Sequence, residues 1–477
     1  MKGDLRSEGA LSFVFYDTET TGTDTSFDQI LQFAAIRTDE NLRELERFEI
    51  RCRMQDRVLA SPGALKVTGV TVAQLTDSTL PSHYEMIRSI YAKLDAWSPA
   101  IFIGYNSIKF DENLLRSALW KTLHRPYLTN TDGNGRADAL GMVQAMAAIR
   151  PGVLNIPADA KGKSFFKLDA VAPLNGFDHR KAHDALADVE ATIHLCKIIA
   201  EKSPALWSRF VAFAQKAEVV DFLTRERAFG LIEYYFGKAS SAIVATIGRS
   251  SGSTADYYAL DLSVDPAELR SLTDDALRTR LAKSPKPVRR VKANAAPLIT
   301  SLDDAPEGAR GRDLGIPELM RRAEEVGRDA ALRKRIIAAV EAAQEPFEKS
   351  PYLEKQIYDG FASDADMKLA DAFHGASWES RLDVARRIKD DRLQRLAMRV
   401  IFDERPDLLS RDECSQQQRQ IAERLLSTEP DLPWATIAAA KEECRDLLES
   451  ATLFDSALLS DYLAYLEERE RQLSAML

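Results

Sequence analysis

The chain has 477 residues, of which 45% are hydrophobic and 29% charged, and a formal net charge of −9. Those values belong to a soluble globular protein with a substantial core, and the length suggests about three domains at roughly 150 residues each. No apolar run approaches the roughly 18 residues of a membrane span, and the stretch MKGDLRSEGALSFVFY lacks a signal-peptide core. A cytoplasmic location is therefore expected. A pI near 5.5 argues against a uniformly basic nucleic-acid binder, but a local basic groove on an acidic body is still allowed.

Phe13–Gly22 reads FVFYDTETTG, an apolar run that ends in two carboxylates. Such a run suggests a buried strand. Residues i and i+2 of a strand share a face, so Asp17 and Glu19 project together. Thr20, Thr21 and Gly22 then turn the chain. Residues 11 to about 54 read as a three-strand meander, with strands at Leu11–Asp17, Ile30–Arg37 and Leu45–Cys52, the last alternating. A loop and short helix follow around Pro62–Gly63 and LKVTGVT. Helical spacing marks Tyr84–Trp97, and Ile101–Gly104 is a short strand. Asp111 opens the helical half of YNSIKFDENLLRSALW, and 129–136 (TNTDGNGR) reads as a polar loop. Ala139–Ile149, Phe166–Leu174 and Ala185–Ile199 read as helices.

The texture changes after about residue 200. Helices mix with strand-like runs at 241–248, 256–263 and 288–294, separated by Gly/Ser/Pro-rich breaks at 248–255 and 303–314. From about 352 the chain is mostly helical, and Leu458, Leu459, Tyr462, Leu463 and Leu466 mark an amphipathic helix. Cys52, Cys196, Cys414 and Cys444 are scattered and form neither a zinc pattern nor a disulfide framework, so reduced thiols are expected.

Two same-face carboxylates repel each other and are costly to bury. A hard divalent cation relieves that cost, since Mg²⁺ takes oxygen ligands. One structural Asp beside a solvated Glu is the plainer reading of Asp17 and Glu19. Later residues add to the pair. Asp111 stands where a strand and turn give way to a helix, Asp188 lies in AHDALADVEATI, and His183 precedes Asp188 by five residues. Asp184 and Asp188 are an i,i+4 pair on one helix face. His183 lies at or before the helix start, able to lean over a site lined by Asp188. Each has a structural alternative: Asp111 and Asp184 suit helix N-caps, and a lone histidine suits the surface or the core.

The ordered set DxE…D…HxxxxD resembles the DEDDh 3′→5′ exonuclease superfamily. Within it, YDTETTG, QFAAIRTD, GYNSIKFDE, KLDAVAPLNG, AHDALADVEATI and the distant IYDGFASDAD (357–366) resemble the bacterial exonuclease I family. The resemblance spans almost the whole chain and is densest over 13–195. It implies a multidomain α/β protein with three parts. These are a ribonuclease H-like exonuclease domain with a mixed sheet (1–201), an SH3-like β-rich domain (202–351) and a helical C-terminal domain (352–477). It also implies two Mg²⁺ ions, with Mn²⁺ as a possible substitute, held by Asp17, Glu19, Asp111 and Asp188. His183 is then the general base, a task that suits histidine because its ordinary pKa lies near working pH.

The implied activity is 3′→5′ degradation of single-stranded DNA to 5′-mononucleotides, in DNA repair and recombination. The partner substrate is single-stranded DNA with a free 3′ end, and a monomer is expected. Glu19, Thr20, Lys167, Arg116 and Tyr127 fall at positions resembling substrate contacts. Lys167 stands where relatives carry Arg, which removes the planar fork, and Gln144 also replaces an Arg. A basic run holds Lys283, Lys286, Arg289, Arg290 and Lys292, suited to phosphate contact in an acidic protein. Tyr234, Tyr235, Phe236, Tyr257 and Tyr258 offer stacking faces. A second partner is implied, the acidic, Phe-ending tail of the single-stranded DNA-binding protein. Arg150 matches one position of its pocket, and either Arg333 or Arg335 matches another. The alternatives are a DEDDh exoribonuclease or proofreading-type exonuclease, which lack a matching C-terminal half, and a non-catalytic single-strand-binding scaffold.

Overall fold

Phe13–Thr20 forms β1, the middle strand of the first sheet. Phe13 and Phe15 enter one apolar cluster, while Val14 and Tyr16 enter another on the opposite face. A strand buried on both faces needs apolar residues at every position, and hence the unbroken run FVFY. The computed structural model describes residues 11–178, 183–235, 238–450 and 452–477.

β2 (Ile30–Thr38) and β3 (Glu44–Arg51) follow as antiparallel neighbours. The expected alternation of the third strand holds only in its second half, where Phe48 and Ile50 pack on the core and Glu49 between them is exposed. Most of β3 is solvent-exposed, because it is the sheet edge, and its charges suit an edge that must not pair further. Three helices come next: α1 (Pro62–Thr68), α2 (Val72–Leu75) and α3 (His83–Trp97). β4 (Ile101–Gly104) runs parallel to β1, and α4 (Asp111–Lys121) leads on to β5 (Gly135–Asp138), parallel to β4. β5 corrects the reading of 129–136 as loop throughout, since Gly135 and Arg136 are already strand. Four residues, GRAD, are too few and too polar to announce a strand, and pairing with β4 supplies what local propensity lacks.

The sheet is mixed, in the order β3-β2-β1-β4-β5. α5 (Ala139–Ile149), α6 (Leu168–Leu174) and α7 (Ala185–Lys202) cover the Phe13/Phe15 face. α3 and α4 cover the other. This is the ribonuclease H-like arrangement expected from the sequence. The parallel strands β1, β4 and β5 end on the same side, and in open α/β sheets such carboxyl ends hold the ligand site.

α8 (Pro204–Ala212) and α9 (Lys216–Arg225) lead to a second sheet. Its strands are β6 (Phe229–Tyr235), β7 (Lys238–Arg249), β8 (Asp256–Asp261), β9 (Val288–Lys292) and β10 (Ile299–Thr300). All pairs are antiparallel, in the order β10-β6-β7-β8-β9. α10 (Pro266–Ser271), α11 (Asp274–Ala282), α12 (Ile316–Arg328) and α13 (Ala330–Ala342) pack on one face around Ile243, Leu260 and Leu332. This sheet is joined to the first core. Ile232 of β6 belongs to the cluster of Phe13, and the Tyr234 hydroxyl donates to the Gln144 carbonyl at 2.8 Å.

The remainder is helical as expected: α14 (Asp364–Gly375), α15 (Trp378–Arg387), α16 (Asp391–Glu404), α17 (Arg411–Leu426), α18 (Ile437–Leu448) and α19 (Leu453–Ser474). These helices fold back on the first domain. Tyr84, Trp120 and Leu123 share a core with Leu353, Phe373 and Leu396. Leu458, Leu459, Tyr462 and Leu466 form the buried face of α19, against Leu59 and Leu65. The four cysteines are free thiols. Among the described residues, no helix is long and apolar enough to cross a membrane.

One buried ion cluster pins this junction. Glu354 accepts from Arg399 at 3.0 Å and Arg424 at 2.7 Å. Burial pushes its carboxyl up, but the two guanidiniums outweigh it and hold it at about 2. A carboxyl held low stabilises the fold above its ordinary value of 4.5, and this contribution is lost as pH falls toward 2. Glu354→Gln should therefore cost roughly 3 kcal/mol at neutral pH by stranding two buried cations. Urea midpoints should show the gap to wild type narrowing between those two pH values. A constant gap would place the effect in packing instead.

Candidate active site

The carboxyl end of β1 presents Asp17 and Glu19 on one face, as the strand period requires. Glu19 pairs in register with Gln32 of β2, and a register shift follows immediately, between Glu19 and Thr20. Such irregularities re-aim side chains beside active sites. The third carboxylate arrives on α7. Asp184 is the helix N-cap, its side chain accepting from the Ala187 amide. It is also held by Arg51 at 2.9 Å and by the Gln32 amide at 3.4 Å. The start of α7 is thereby sewn to β2 and β3, one turn before Asp188. Of the pair read from sequence, Asp184 is the anchor and Asp188 faces the site.

Asp17, Glu19 and Asp188 each offer a carboxylate oxygen, and these lie within 4.8 Å of one another. Asp111 stands at the first position of α4, not at its N-cap, which is Phe110. It is outside the cluster of three, and its carboxylate accepts from the Thr18 hydroxyl at 2.6 Å. Its charge still reaches Asp17 and Glu19.

Burial pushes all four carboxyls up, and repulsion from the others adds to it at Asp17 and Glu19. Glu19 rises to about 8, chiefly by burial, then through the charges of Asp188 and Asp111. Asp17 rises well above the ordinary range for the same reasons. Asp111 rises to about 7, with burial dominant. Asp188 rises to about 6 by burial, restrained by the charge and the backbone of His183. Oxygen-only donors crowded at this distance fit a divalent cation, whose charge reverses the cost of ionising them.

His183 lies just before α7 with a φ of 66°, in the left-handed region, and is exposed. It lines a groove of about 600 Å³ together with Asp188, Tyr105, Gln144, Phe165 and Lys167. Lys167 is exposed at the N-terminus of α6. The Thr20 hydroxyl donates to the Gly22 carbonyl at 2.6 Å and so shapes the turn beside the cluster.

Arg116 is half-committed elsewhere. It pairs with Glu112 at 3.1 Å, donates to Asn113, and lies 5.1 Å over the Tyr127 ring. In the basic run, Arg289 pairs with Glu233 and Arg290 with Asp256, while Lys283, Lys286 and Lys292 face solvent. Tyr258 is core, Tyr234 is tied to Gln144, and Tyr235 is exposed. Tyr257 is half-buried against Phe229 and Val291, and Phe236 lies outside the described residues. Arg150 is exposed. Arg335 is spent on Asp274 at 2.9 Å and the Leu272 carbonyl at 2.7 Å, whereas Arg333 lines a separate groove of about 440 Å³.

Two supporting residues escaped the sequence reading. Glu112, next to Asp111, is buried and accepts from the Tyr16 hydroxyl, Thr129, Arg116 and Arg136. Asp138, at the end of β5, accepts from the amides of Asn106, Ile108 and Leu140, and so shapes the loop that delivers Asp111. Their only sequence signal is position, one beside a site aspartate and one before a helix.

Residues 14–196 match the exonuclease family, and residues 352–469 match the exonuclease I C-terminal domain. The chain belongs to the exonuclease I family. It is a hydrolytic exonuclease by that membership. Exodeoxyribonuclease I of Escherichia coli strain K12 is 29% identical over 372 residues, 74% of this chain and 77% of that protein. A moderately thermophilic exonuclease I from Methylocaldum szegediense superposes with a TM-score of 0.82 at 26% identity, over 97% of this chain and 99% of that one. The zinc-bound form of an E. coli exonuclease I complex with single-stranded DNA superposes at 0.81 and 25% identity, over 96% and 99%. Both exonuclease I matches extend over the second sheet and the C-terminal helices.

Proposed function

We propose that the protein degrades single-stranded DNA from its 3′ end, releasing 5′-mononucleotides, as a monomer in the cytoplasm. The three parts are taken as 1–201, 202–351 and 352–477. The observation that carries the reading is the carboxylate cluster of Asp17, Glu19 and Asp188 opening into the groove lined by His183 and Lys167. Similarity to exonuclease I along nearly the whole chain supports DNA over RNA as substrate.

Asp17, Glu19, Asp111 and Asp188 would hold two Mg²⁺ ions, with Mn²⁺ able to replace them. Bound there, the ions would stabilise charge on the phosphate and on the departing 3′ oxygen. The chain's own residues do the rest. His183, exposed at the groove wall, takes the proton from the attacking water. Lys167 offers a phosphate contact as a single point charge. The turn at Thr20 shapes the seat of the terminal nucleotide beside Glu19. Arg116 of α4 lies over the ring of Tyr127, and that ring is the better candidate contact because the Arg116 guanidinium is largely engaged by Glu112.

The test is digestion of end-labelled oligonucleotides with Mg²⁺ or with chelator. Free 3′ DNA ends should be shortened stepwise, with blocked 3′ ends, RNA and chelated samples intact. Equal digestion of RNA would favour the exoribonuclease reading, and no digestion would favour a binding scaffold.

The acidic tail of the single-stranded DNA-binding protein is proposed to dock at Arg150 and Arg333. Arg333 is preferred because Arg335 is already paired with Asp274. Arg150→Glu should weaken tail-peptide affinity at least tenfold in fluorescence anisotropy, by placing like charges together. Unchanged affinity would remove Arg150 from the surface.

A further inference from the structure

A cavity of about 40 Å³ lies where the C-terminal helices meet the first domain, and none of the cluster's carboxylates lines it. Phe27, Val58, Leu396 and Val400 supply apolar walls. The remaining lining is polar, and its charges are lopsided. Arg57, Lys121, Arg399 and Arg424 face it, against only two carboxylates, Glu354 and Asp403, leaving two positive charges in excess.

The pairings account for the carboxylates and not for the surplus. Glu354 is shared by Arg399 and Arg424, and Asp403 by Arg57 and Gln55. Among the described residues, Lys121 donates to the carbonyls of Ser26 and Asp28 and to no carboxylate. The Asp28 carboxylate is turned away, onto the Thr21 hydroxyl and the Asp24 amide, and does not line the cavity. Burial lowers the Lys121 ammonium to about 8, so it is still charged at neutral pH.

Two buried nitrogens of cavity-lining residues have no partner among the described residues. They are Nε2 of His83, a residue 2% exposed, and Nε of Arg424. Burial lowers the His83 imidazole to about 3, so it is a neutral hydrogen-bonding group and adds no charge. Surplus positive charge rules out a cation, and the volume admits one small ion or a few waters.

We propose that this cavity binds a small monovalent inorganic anion of chloride size, held by His83 Nε2 and Arg424 Nε within the ring of cations. The anion balances charge at a junction built from α3, α4, α16 and α17, and so ties the C-terminal helices to the exonuclease domain. It is a structural ligand, apart from the reaction.

The test uses the full-length protein at constant ionic strength, with potassium chloride replacing potassium glutamate, whose anion is too large for the cavity. The thermal midpoint should rise with chloride and saturate, by roughly 1–2 °C once chloride exceeds its dissociation constant tenfold. His83→Phe, which keeps a ring and loses the nitrogen, should flatten that response. Crystals grown in bromide should give an anomalous peak within hydrogen-bond reach of His83 Nε2 and Arg424 Nε, a measurement that holds even if His83→Phe fails to fold. A wild-type midpoint indifferent to the halide, or a cavity holding only water in bromide, overturns the proposal.

Discussion

Replacing His183 with alanine should lower turnover by roughly 10²–10⁴-fold, the usual contribution of a general base. Single-strand affinity should stay within about twofold, because the proposed phosphate contacts are Lys167 and other lysines and not the imidazole. The backbone supplies a control. His183 has a φ of 66°, a conformation that asparagine tolerates better than most residues. His183→Asn therefore keeps the local fold and polarity but removes the proton acceptor, and it should match the alanine variant in rate. Single-turnover digestion and anisotropy in chelator separate the two effects. Equal loss of rate and binding would reject the assigned role.

Glu19→Gln should move stability in opposite directions with and without metal. In the metal-free protein, Glu19 is buried beside Asp17, Asp188 and Asp111, and its carboxyl is pushed up to about 8. At neutral pH that carboxyl is largely protonated in the fold but ionised in the unfolded chain, so glutamine removes the cost of taking up that proton, a gain of about 0.5–2 kcal/mol. With saturating Mg²⁺ the order reverses. Wild type gains about 2.7 kcal/mol at a hundredfold excess over its dissociation constant, and the variant loses most of that gain. Activity should fall more than 100-fold, since losing even an outer partner of a metal ligand typically costs 10–100-fold. Thermal midpoints with Mg²⁺ and with chelator read the crossover. The same Mg²⁺ gain in both proteins would dismiss Glu19 as a ligand.

The legible parts of the sequence were those with a period. FVFY followed by DTE declared β1 and the direction of its carboxylates, and the buried face of α19 was visible in Leu458, Tyr462 and Leu466. Illegible parts owed their structure to distant partners. β5 is strand because β4 lies beside it. β3 is exposed because nothing lies beyond it. Asp111 turns to Thr18, and Arg116 to Glu112, for reasons held in side-chain geometry 93 and 4 residues away. A helix-face arginine looks the same in sequence whether it meets DNA or a buried glutamate. The site's identity was readable because its ordered residue types are rare together, whereas its supports, Glu112 and Asp138, are ordinary residues in ordinary places.

The Arg136 guanidinium has one end on Glu112, beside Asp111, and the other on the Asn294 carbonyl, just after β9. Ile232 and Leu298, from the same second sheet region, complete the apolar core beneath β1. The exonuclease fold is thus finished by residues from 30 to 96 positions beyond α7, which ends at Lys202. A chimaera that grafts this nuclease segment onto another protein would have to carry 229–300 with it. Recombination between relatives should then tolerate crossovers outside 13–300 better than inside it, so that the two sheets are inherited as one unit.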